Sequence, residues 1–181
     1  EENVPPSPPF IVCSKHLSAF ETFFFADYFK IPVYILKRSL MLIPVFGWYL
    51  WRTKMIGINR KGGASTMEQI KKAYKDVILN QKRVLIIFPQ GTRTPIDERY
   101  SLEKYPYKKG ISVVCANLPE TPVLLVAHNA VKCFGKGFFS IKKPGVVTFK
   151  FIKTIIMGEK TPEDFLLEIT KQIETETNKI L

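Results

Sequence analysis

A short uninterrupted run of apolar side chains in the middle of the chain limits most strongly what the chain can fold into. Residues 83–88 have the sequence RVLIIF, in which large and β-branched apolar residues follow one another without polar alternation. A strand of this kind must be covered on both faces, as the strands of a parallel sheet are. We therefore expect a buried strand here, inside a sheet that is at least partly parallel.

Strand-like and helix-like segments alternate along the rest of the chain, which is typical of the α/β class. We predict a single domain with a mixed, largely parallel sheet flanked by helices. Residues 1–9 carry four prolines and are expected to be an extended lead-in, the remnant of a truncated N-terminal region, before a domain at 10–181. The predicted strands are 10–14, 33–36, 55–58, 83–88, 123–127 and 146–152, and the predicted helices are 18–29, one that starts at a capping box at 65–68, 109–118 and one from 161 onward.

Composition narrows the classes of partner and cofactor. The chain has 181 residues, 46% of them hydrophobic, and a net charge of +11, so it is predicted to be folded and to bind an anionic partner. Three cysteines without paired spacing are expected to be reduced, buried thiols of a cytosolic compartment. The two histidines flank no CxxC and no HxxxH pattern, so no metal site and no cofactor are predicted.

An aromatic segment at residues 40–51 is too short to span a bilayer and is interrupted by Pro44 and Gly47. Lysine and arginine residues flank it on both sides, and aromatic residues edged by cations suit a membrane–water boundary. Core aromatics with flanking surface charges explain the same pattern, and both interpretations stay open. A second basic and aromatic cluster, at residues 132–143, is either a lipid-binding surface or a solvated loop.

His16 and Glu21 are the first candidate catalytic pair. A carboxylate that binds one imidazole nitrogen leaves the other nitrogen basic, which can activate a hydroxyl near neutral pH. Five residues of continuous helix would separate the two side chains, so they can meet only if His16 lies in the turn before a helix capped by Ser18. The alternative is that Glu21 only caps the Ser18 amide and that His16 is an ordinary loop residue.

A second candidate segment, Phe88 to Arg93, follows the buried strand. Ligands of open α/β sheets bind at the carboxyl ends of the strands, so this loop is expected to line a site. Gly91 would let the backbone approach a ligand, Thr92 offers a hydroxyl, and Arg93 offers a fork of donors suited to phosphate. The glycine spacing of a nucleotide-binding P-loop is lacking, so ATP and GTP are not indicated. A tight turn with a surface arginine is the alternative.

These segments, with two others in the same order, resemble the glycerolipid acyltransferase family that includes the 1-acylglycerol-3-phosphate acyltransferases. That family carries H-x-x-x-x-D, an I-D-R-like element, F-P-E-G-T-R and a V-P-V/I-like element. The matching residues here are His16 through Glu21, Ile58-Asn59-Arg60, Phe88 through Arg93 and Thr121-Pro122-Val123. The resemblance covers nearly the whole chain and implies a glycerol-3-phosphate acyltransferase-like fold, with residues 10–181 as the acyltransferase domain.

Three positions depart from the family pattern. Glu21 replaces an aspartate and can still accept hydrogen bonds, whereas Asn59 and Gln90 replace charged carboxylates. The resemblance implies that His16, oriented by Glu21, is the general base for direct acyl transfer to lysophosphatidic acid, giving phosphatidic acid in phospholipid biosynthesis. It further implies that the acceptor phosphate is bound by Arg93, Arg60, Gly91, Thr92 and Gln90.

The same resemblance implies an acyl thioester as co-substrate, either acyl-CoA or acyl carrier protein, and a lipid acceptor that comes from a membrane surface. The expected location is the cytoplasmic face of a membrane, either peripheral or anchored by a missing N-terminal segment. Three alternatives stay open: acylation of another lysophospholipid, a catalytically degenerate lipid-binding protein, and a basic nucleic-acid-binding domain. No nucleic-acid motif is present, and the aromatic residues lie mainly in apolar runs, so nucleic acid is not the predicted partner.

Overall fold

The computed structural model describes residues 2–59, 63–95, 97–98, 101–135 and 142–181. Six strands and five α-helices alternate along these residues, together with two short 3₁₀ helices and a π-helical turn. The strands are β1 (Ile11–Ser14), β2 (Val33–Lys37), β3 (Ile56–Ile58), β4 (Leu85–Ile87), β5 (Val123–His128) and β6 (Phe149–Ile155). The helices are α1 (Phe20–Tyr28), α2 (Phe46–Arg52), α3 (Gly63–Lys75), α4 (Gly110–Cys115) and α5 (Pro162–Ile180), with 3₁₀ helices at Arg38–Leu42 and Ala130–Lys132 and the π-helical turn at Asp76–Gln81.

The strands form one sheet in the order β3-β2-β4-β1-β5-β6. All neighbouring pairs are parallel except β5 and β6, which are antiparallel. The predicted α/β class with a mixed, largely parallel sheet is therefore confirmed. β1 and β4 are neighbours at the centre of the sheet with Cys13 opposite Ile87, so the segments that follow these two strands leave the same edge side by side.

Helices cover both faces of the sheet, as the unalternated strand predicts. On one face, α3, α4 and α5 contribute Ile70, Ile111 and Ile169 to a buried cluster. On the other face, α1 and α2 contribute Phe25 and Leu50. The sheet therefore acts as a rigid platform, and the loops at its carboxyl edge are positioned by well-packed elements.

Three predicted elements differ most from the structure, and one segment forms helices that were not predicted. The capping box at 65–68 lies inside α3, which begins at Gly63, so Ser65 is not the N-cap; the neighbouring Thr66 hydroxyl donates to the Asn59 carbonyl oxygen. β6 begins at Phe149 and not at residue 146, because its start is set by pairing with His128 at the end of β5. α4 is shorter than predicted at both ends. The aromatic segment, for which no element was predicted, forms the first 3₁₀ helix and α2.

The lead-in packs along the sheet edge at β6. The Asn3 side-chain amide donates to the carbonyl oxygens of Phe151 and Ile152, and the Thr154 hydroxyl donates to the Asn3 carbonyl oxygen. The three cysteines are buried and unbridged, as the sequence predicts. Among the residues that the structure describes, no helix is both long and apolar enough to cross a bilayer.

Candidate active site

His16 lies two residues beyond β1, at the carboxyl edge of the sheet, in the turn that precedes α1. Its Nδ1 is 2.8 Å from Oε1 of Glu21, which lies in the first turn of α1. The predicted contact between these two side chains is therefore present. With the proton on Nδ1 donated to the carboxylate, Nε2 is the basic nitrogen, and the imidazole is partly exposed (17% of its side chain).

Glu21 orients the histidine and also caps the turn, so both sequence interpretations describe the same carboxylate. Its Oε1 accepts from the Leu17 and Ser18 amides at 2.8 and 2.9 Å, and its Oε2 accepts from the Ser18 hydroxyl at 2.5 Å. Burial alone would raise the pKa of Glu21, but the hydrogen bond with His16, the charges of His128 and His16, and the hydrogen bond from the Ser18 hydroxyl lower it to about 2. The carboxylate is therefore ionised at every physiological pH and is held rigidly against the imidazole.

Phe88, the residue after β4, forms the other wall against the imidazole. The Phe88 and His16 rings are stacked, with centroids 4.3 Å apart and planes 16° apart. Further along the same loop, the Thr94 amide donates to the His16 carbonyl oxygen at 2.8 Å. The loop from Phe88 to Thr94 therefore contacts His16 at both of its ends. Arg93 directly precedes Thr94.

Gln90 stabilises the loop internally. Its side chain is 2% exposed, its amide nitrogen donates to the Tyr105 carbonyl oxygen at 2.8 Å, and its amide oxygen accepts from the Thr94 hydroxyl at 3.2 Å. Both ends of this amide therefore form hydrogen bonds within the protein, and a contact of Gln90 with an acceptor phosphate stays a prediction. Where the family pattern has a carboxylate, this chain has a neutral amide whose hydrogen bonds stay within the loop.

Gly91 closes a tight turn, in which its amide donates to the Phe88 carbonyl oxygen at 2.9 Å with a φ of +69°. The turn uses this N–H, and the contact of the Gly91 backbone with a phosphate stays a prediction. The glycine also provides clearance, since a Cβ built here would lie 3.3 Å from the Lys108 ammonium. Thr92 is exposed and Arg93 is half-buried. Arg60 lies outside the described residues.

Lys108 is a site residue that the sequence analysis missed. Its ammonium lies over Gly91, and it forms no salt bridge with any residue of the described ranges. It lines a cavity of about 240 Å³ whose other walls are largely apolar. The cavity is lined by Ile35, Ile58, Met67, Ile70, Ile87, Phe88, Pro89, Gly91, Ile111 and Val114, among others. Lys108 lies in a loop between Tyr107 and Lys109, and no sequence pattern distinguishes it from other loop lysines.

A buried ion pair fixes Lys15, the residue that directly precedes His16. The Lys15 ammonium, fully buried, is 2.7 Å from Oε2 of Glu174 in α5, and the Tyr107 hydroxyl donates to Oε1 of the same carboxylate at 2.9 Å. The Lys15 carbonyl oxygen accepts from Nε2 of His128 at 2.9 Å. Burial lowers the pKa of His128, which keeps that imidazole neutral and makes it a structural residue.

Comparison with known proteins identifies the family to which the chain is similar. The acyltransferase family profile matches residues 1–142. The 1-acyl-sn-glycerol-3-phosphate acyltransferase of Pseudomonas aeruginosa is 34% identical over 146 residues, which cover 81% of this chain and 53% of that protein. The enzyme of the same name from Saccharomyces cerevisiae is 28% identical over 174 residues, covering 96% of this chain and 55% of that protein.

A solved structure has the same fold. The crystal structure of the 1-acyl-sn-glycerophosphate (LPA) acyltransferase PlsC from Thermotoga maritima superposes with a TM-score of 0.76 and 21% identity, covering 98% of this chain and 68% of that one. The chain spans about half the length of the relatives named above. The family match extends over most of the chain, the resemblance seen in the motifs is confirmed, and the chain belongs to the acyltransferase family.

Proposed function

We propose that this chain transfers a fatty acyl group from an acyl thioester to the free hydroxyl of 1-acylglycerol-3-phosphate, giving phosphatidic acid. The observation that carries the proposal is the 2.8 Å contact between Nδ1 of His16 and the buried carboxylate of Glu21. This contact fixes the tautomer that leaves Nε2 able to accept a hydroxyl proton. The names of the relatives support the choice of acceptor.

The proton and the acyl group move in one cycle without an acyl-enzyme. Nε2 of His16 takes the proton of the acceptor hydroxyl as its oxygen attacks the thioester carbonyl. The tetrahedral intermediate then expels the thiolate, which takes the proton from the imidazolium. Glu21 stabilises that imidazolium, because its carboxylate stays ionised throughout.

The acceptor phosphate is bound by cations of the F-P-Q-G-T-R loop and its neighbour. Arg93 supplies a fork of donors suited to phosphate, Lys108 supplies a point charge above Gly91, and Thr92 adds an exposed hydroxyl. Arg60 stays a candidate for the same role from its family motif. Binding the phosphate holds the reacting hydroxyl near His16, and such positioning contributes strongly to rate.

The apolar cavity beside Phe88 is suited to a hydrocarbon chain. Phe88 contacts the imidazole and also lines the cavity, so a chain bound there has its carbonyl end near the histidine. The donor is an acyl thioester of coenzyme A or of acyl carrier protein, and the lipid acceptor is drawn from the cytoplasmic face of a membrane. No metal or cofactor takes part in this scheme.

Thiol release from acyl-CoA in the presence of lysophosphatidic acid tests the proposal. The wild-type chain should release thiol and form phosphatidic acid, and His16→Ala should lose about 10²- to 10⁴-fold in turnover. Arg93→Ala should raise KM for lysophosphatidic acid more than KM for acyl-CoA. Lys171→Ala, which removes one exposed cation from α5, is the matched control and should match wild type. Near wild-type turnover by His16→Ala would contradict the proposal.

A panel of lysolipids tests the alternative of a different head group. Gln90 is the observation that favours including it, because a neutral amide stands where the family has a carboxylate. Its side chain is buried and hydrogen-bonded within the loop, so its main effect on the acceptor is expected through the charge near the site. We expect phosphate-terminated acceptors to be preferred over choline- or ethanolamine-containing ones, and equal rates for all of them would overturn the assignment to lysophosphatidic acid.

A further inference from the structure

Residues 40–51 place an unusual number of apolar side chains in solvent. Of the fifteen exposed large hydrophobic side chains in the described ranges, eight lie in this stretch of the chain. Trp48 and Trp51 are the chain's two tryptophans, and they are 65% and 66% exposed. The eight are Leu40, Leu42, Ile43, Val45, Phe46, Trp48, Tyr49 and Trp51, and we call them the aromatic patch. Of the two interpretations left open by the sequence, the one with core aromatics does not hold for either tryptophan.

The outward orientation is built into the local packing. Gly47 and Leu50, one helical turn apart, are the buried residues of α2. The other side chains of this helix therefore face solvent. Gly47 packs directly on the backbone of Met41, where a Cβ would collide with the Met41 carbonyl oxygen. The 3₁₀ helix and α2 are thereby locked together, and the patch is a fixed surface and not a loose loop.

Charge around the patch favours one kind of partner. Residues 37–54 contain four cations and no acidic residue. Lys37, Arg38 and Arg52 are exposed and form no salt bridge with any residue of the described ranges. Apolar and aromatic side chains ringed by exposed cations match the layered chemistry of an anionic bilayer surface, with hydrocarbon beneath phosphate head groups. A surface helix without a polar face is otherwise unfavourable in water.

We propose that the aromatic patch is the surface by which this chain docks on an anionic lipid bilayer. The patch begins three residues after β2, at the carboxyl edge of the sheet, and α2 then runs toward the opposite edge, where the Thr53 carbonyl oxygen accepts from Arg83 just before β4. The choice of a lipid partner rests on the proposed function. The docking itself needs no turnover, so the two proposals can fail separately.

Tryptophan fluorescence reports on this surface alone, because both tryptophans lie in it. Vesicles of phosphatidylglycerol and phosphatidylcholine should shift the emission to the blue, and brominated lipids should quench it. Pure phosphatidylcholine vesicles should bind more weakly, and each lost cation of Arg38→Gln and Arg52→Gln should weaken binding to the mixed vesicles about fivefold. His16→Ala should bind as wild type does, which separates docking from catalysis.

Vesicle co-sedimentation of matched variants decides whether this surface is responsible. Trp48→Glu with Trp51→Glu should lose at least tenfold in affinity for the mixed vesicles. Val146→Glu with Leu167→Glu is the matched control, because these side chains are 81% and 67% exposed elsewhere on the surface and the charge change is the same. The control should bind as wild type does, and circular dichroism should show both variants folded.

Three results would overturn the proposal. The first is wild-type vesicle affinity in the tryptophan variant, and the second is an equal loss in the control variant. The third is a wild-type dimer in solution that the tryptophan variant abolishes while vesicle binding is unchanged, which would assign the patch to a second copy of the chain. Turnover on acceptor monomers below their micellar concentration should stay unchanged in the tryptophan variant and fall on vesicle-borne acceptor.

Discussion

Glu21→Gln removes one negative charge from the site while keeping nearly the same shape. The glutamine oxygen can stay at the position that accepts from His16 and from the Leu17 and Ser18 amides, so the imidazole tautomer is retained. The glutamine NH₂ then takes the place of Oε2 and faces the Ser18 amide, which is 3.1 Å from that atom in the wild type. The variant therefore loses the charge and gains one donor–donor contact.

The structure gives the size of both effects. The folded protein holds the pKa of Glu21 at about 2, below its ordinary value of 4.5, which corresponds to about 3 kcal/mol of preference for the ionised carboxylate in the folded state. Glu21→Gln should therefore lower the free energy of unfolding at pH 7 by about 3 kcal/mol. An imidazolium and a carboxylate about 4 Å apart attract by about 4 kcal/mol at an effective dielectric constant near 20. Turnover should therefore fall by about 10²- to 10³-fold.

Thiol release with lysophosphatidic acid measures the loss of turnover, at a temperature where circular dichroism shows the variant to be folded. Glu21→Asp is the companion variant, because it keeps the charge and shortens the side chain, and it should retain more activity than Glu21→Gln. The double variant His16→Ala with Glu21→Gln should be no slower than His16→Ala alone, since the two residues act as a unit. Turnover within threefold of wild type in Glu21→Gln, with His16→Ala inactive, would refute the reasoning.

Three further predictions follow from the same contacts. Glu174→Ala removes one partner of the buried Lys15 ion pair and should lower the free energy of unfolding by about 3–5 kcal/mol, whereas Lys15→Met with Glu174→Leu should recover most of it in urea unfolding. Gly91→Ala forces a side chain onto a φ of +69° and toward Lys108, so it should cost about 1–2 kcal/mol and raise KM for lysophosphatidic acid, and an unchanged KM would count against Lys108 as a phosphate ligand. Because the folded-state pKa of Glu21 lies below its unfolded value, its stabilisation is complete above pH 4.5 and is lost as the pH falls toward 2, so the stability gap between wild type and Glu21→Gln should close over that window.

Local sequence patterns predicted the class of the fold and the contact between His16 and Glu21. The apolar run at 83–88 required cover on both faces, and the capping box predicted at Ser18 placed His16 in the turn before α1, although Ala19 and not Ser18 stands at the N-cap. These inferences succeed because they depend on contacts between residues that are close in sequence. Helix caps, turn residues and strand periodicity are all of this kind.

Contacts between distant residues could not be predicted in the same way. Lys108 over Gly91 depends on how two loops return to the sheet edge, and the Lys15–Glu174 pair joins residues 159 positions apart. The internal bonding of Gln90 depends on Tyr105 in a segment without regular structure. The sequence offered a polar residue in each case, but only the packed chain shows which partner it meets.

Sequence by itself determined which chemical groups this protein carries and which segments become strands and helices. Tertiary structure decided which of those groups meet, because the order of the strands in the sheet sets what leaves each edge together. β1 and β4 lie side by side in the sheet although residues 15–84 separate them in the chain. Because the two strands are neighbours, the Phe88 ring after β4 stacks on the His16 ring after β1. The aromatic segment shows the same limit, since its composition fits a core or a surface equally well and only the packing of Gly47 and Leu50 turns its tryptophans outward.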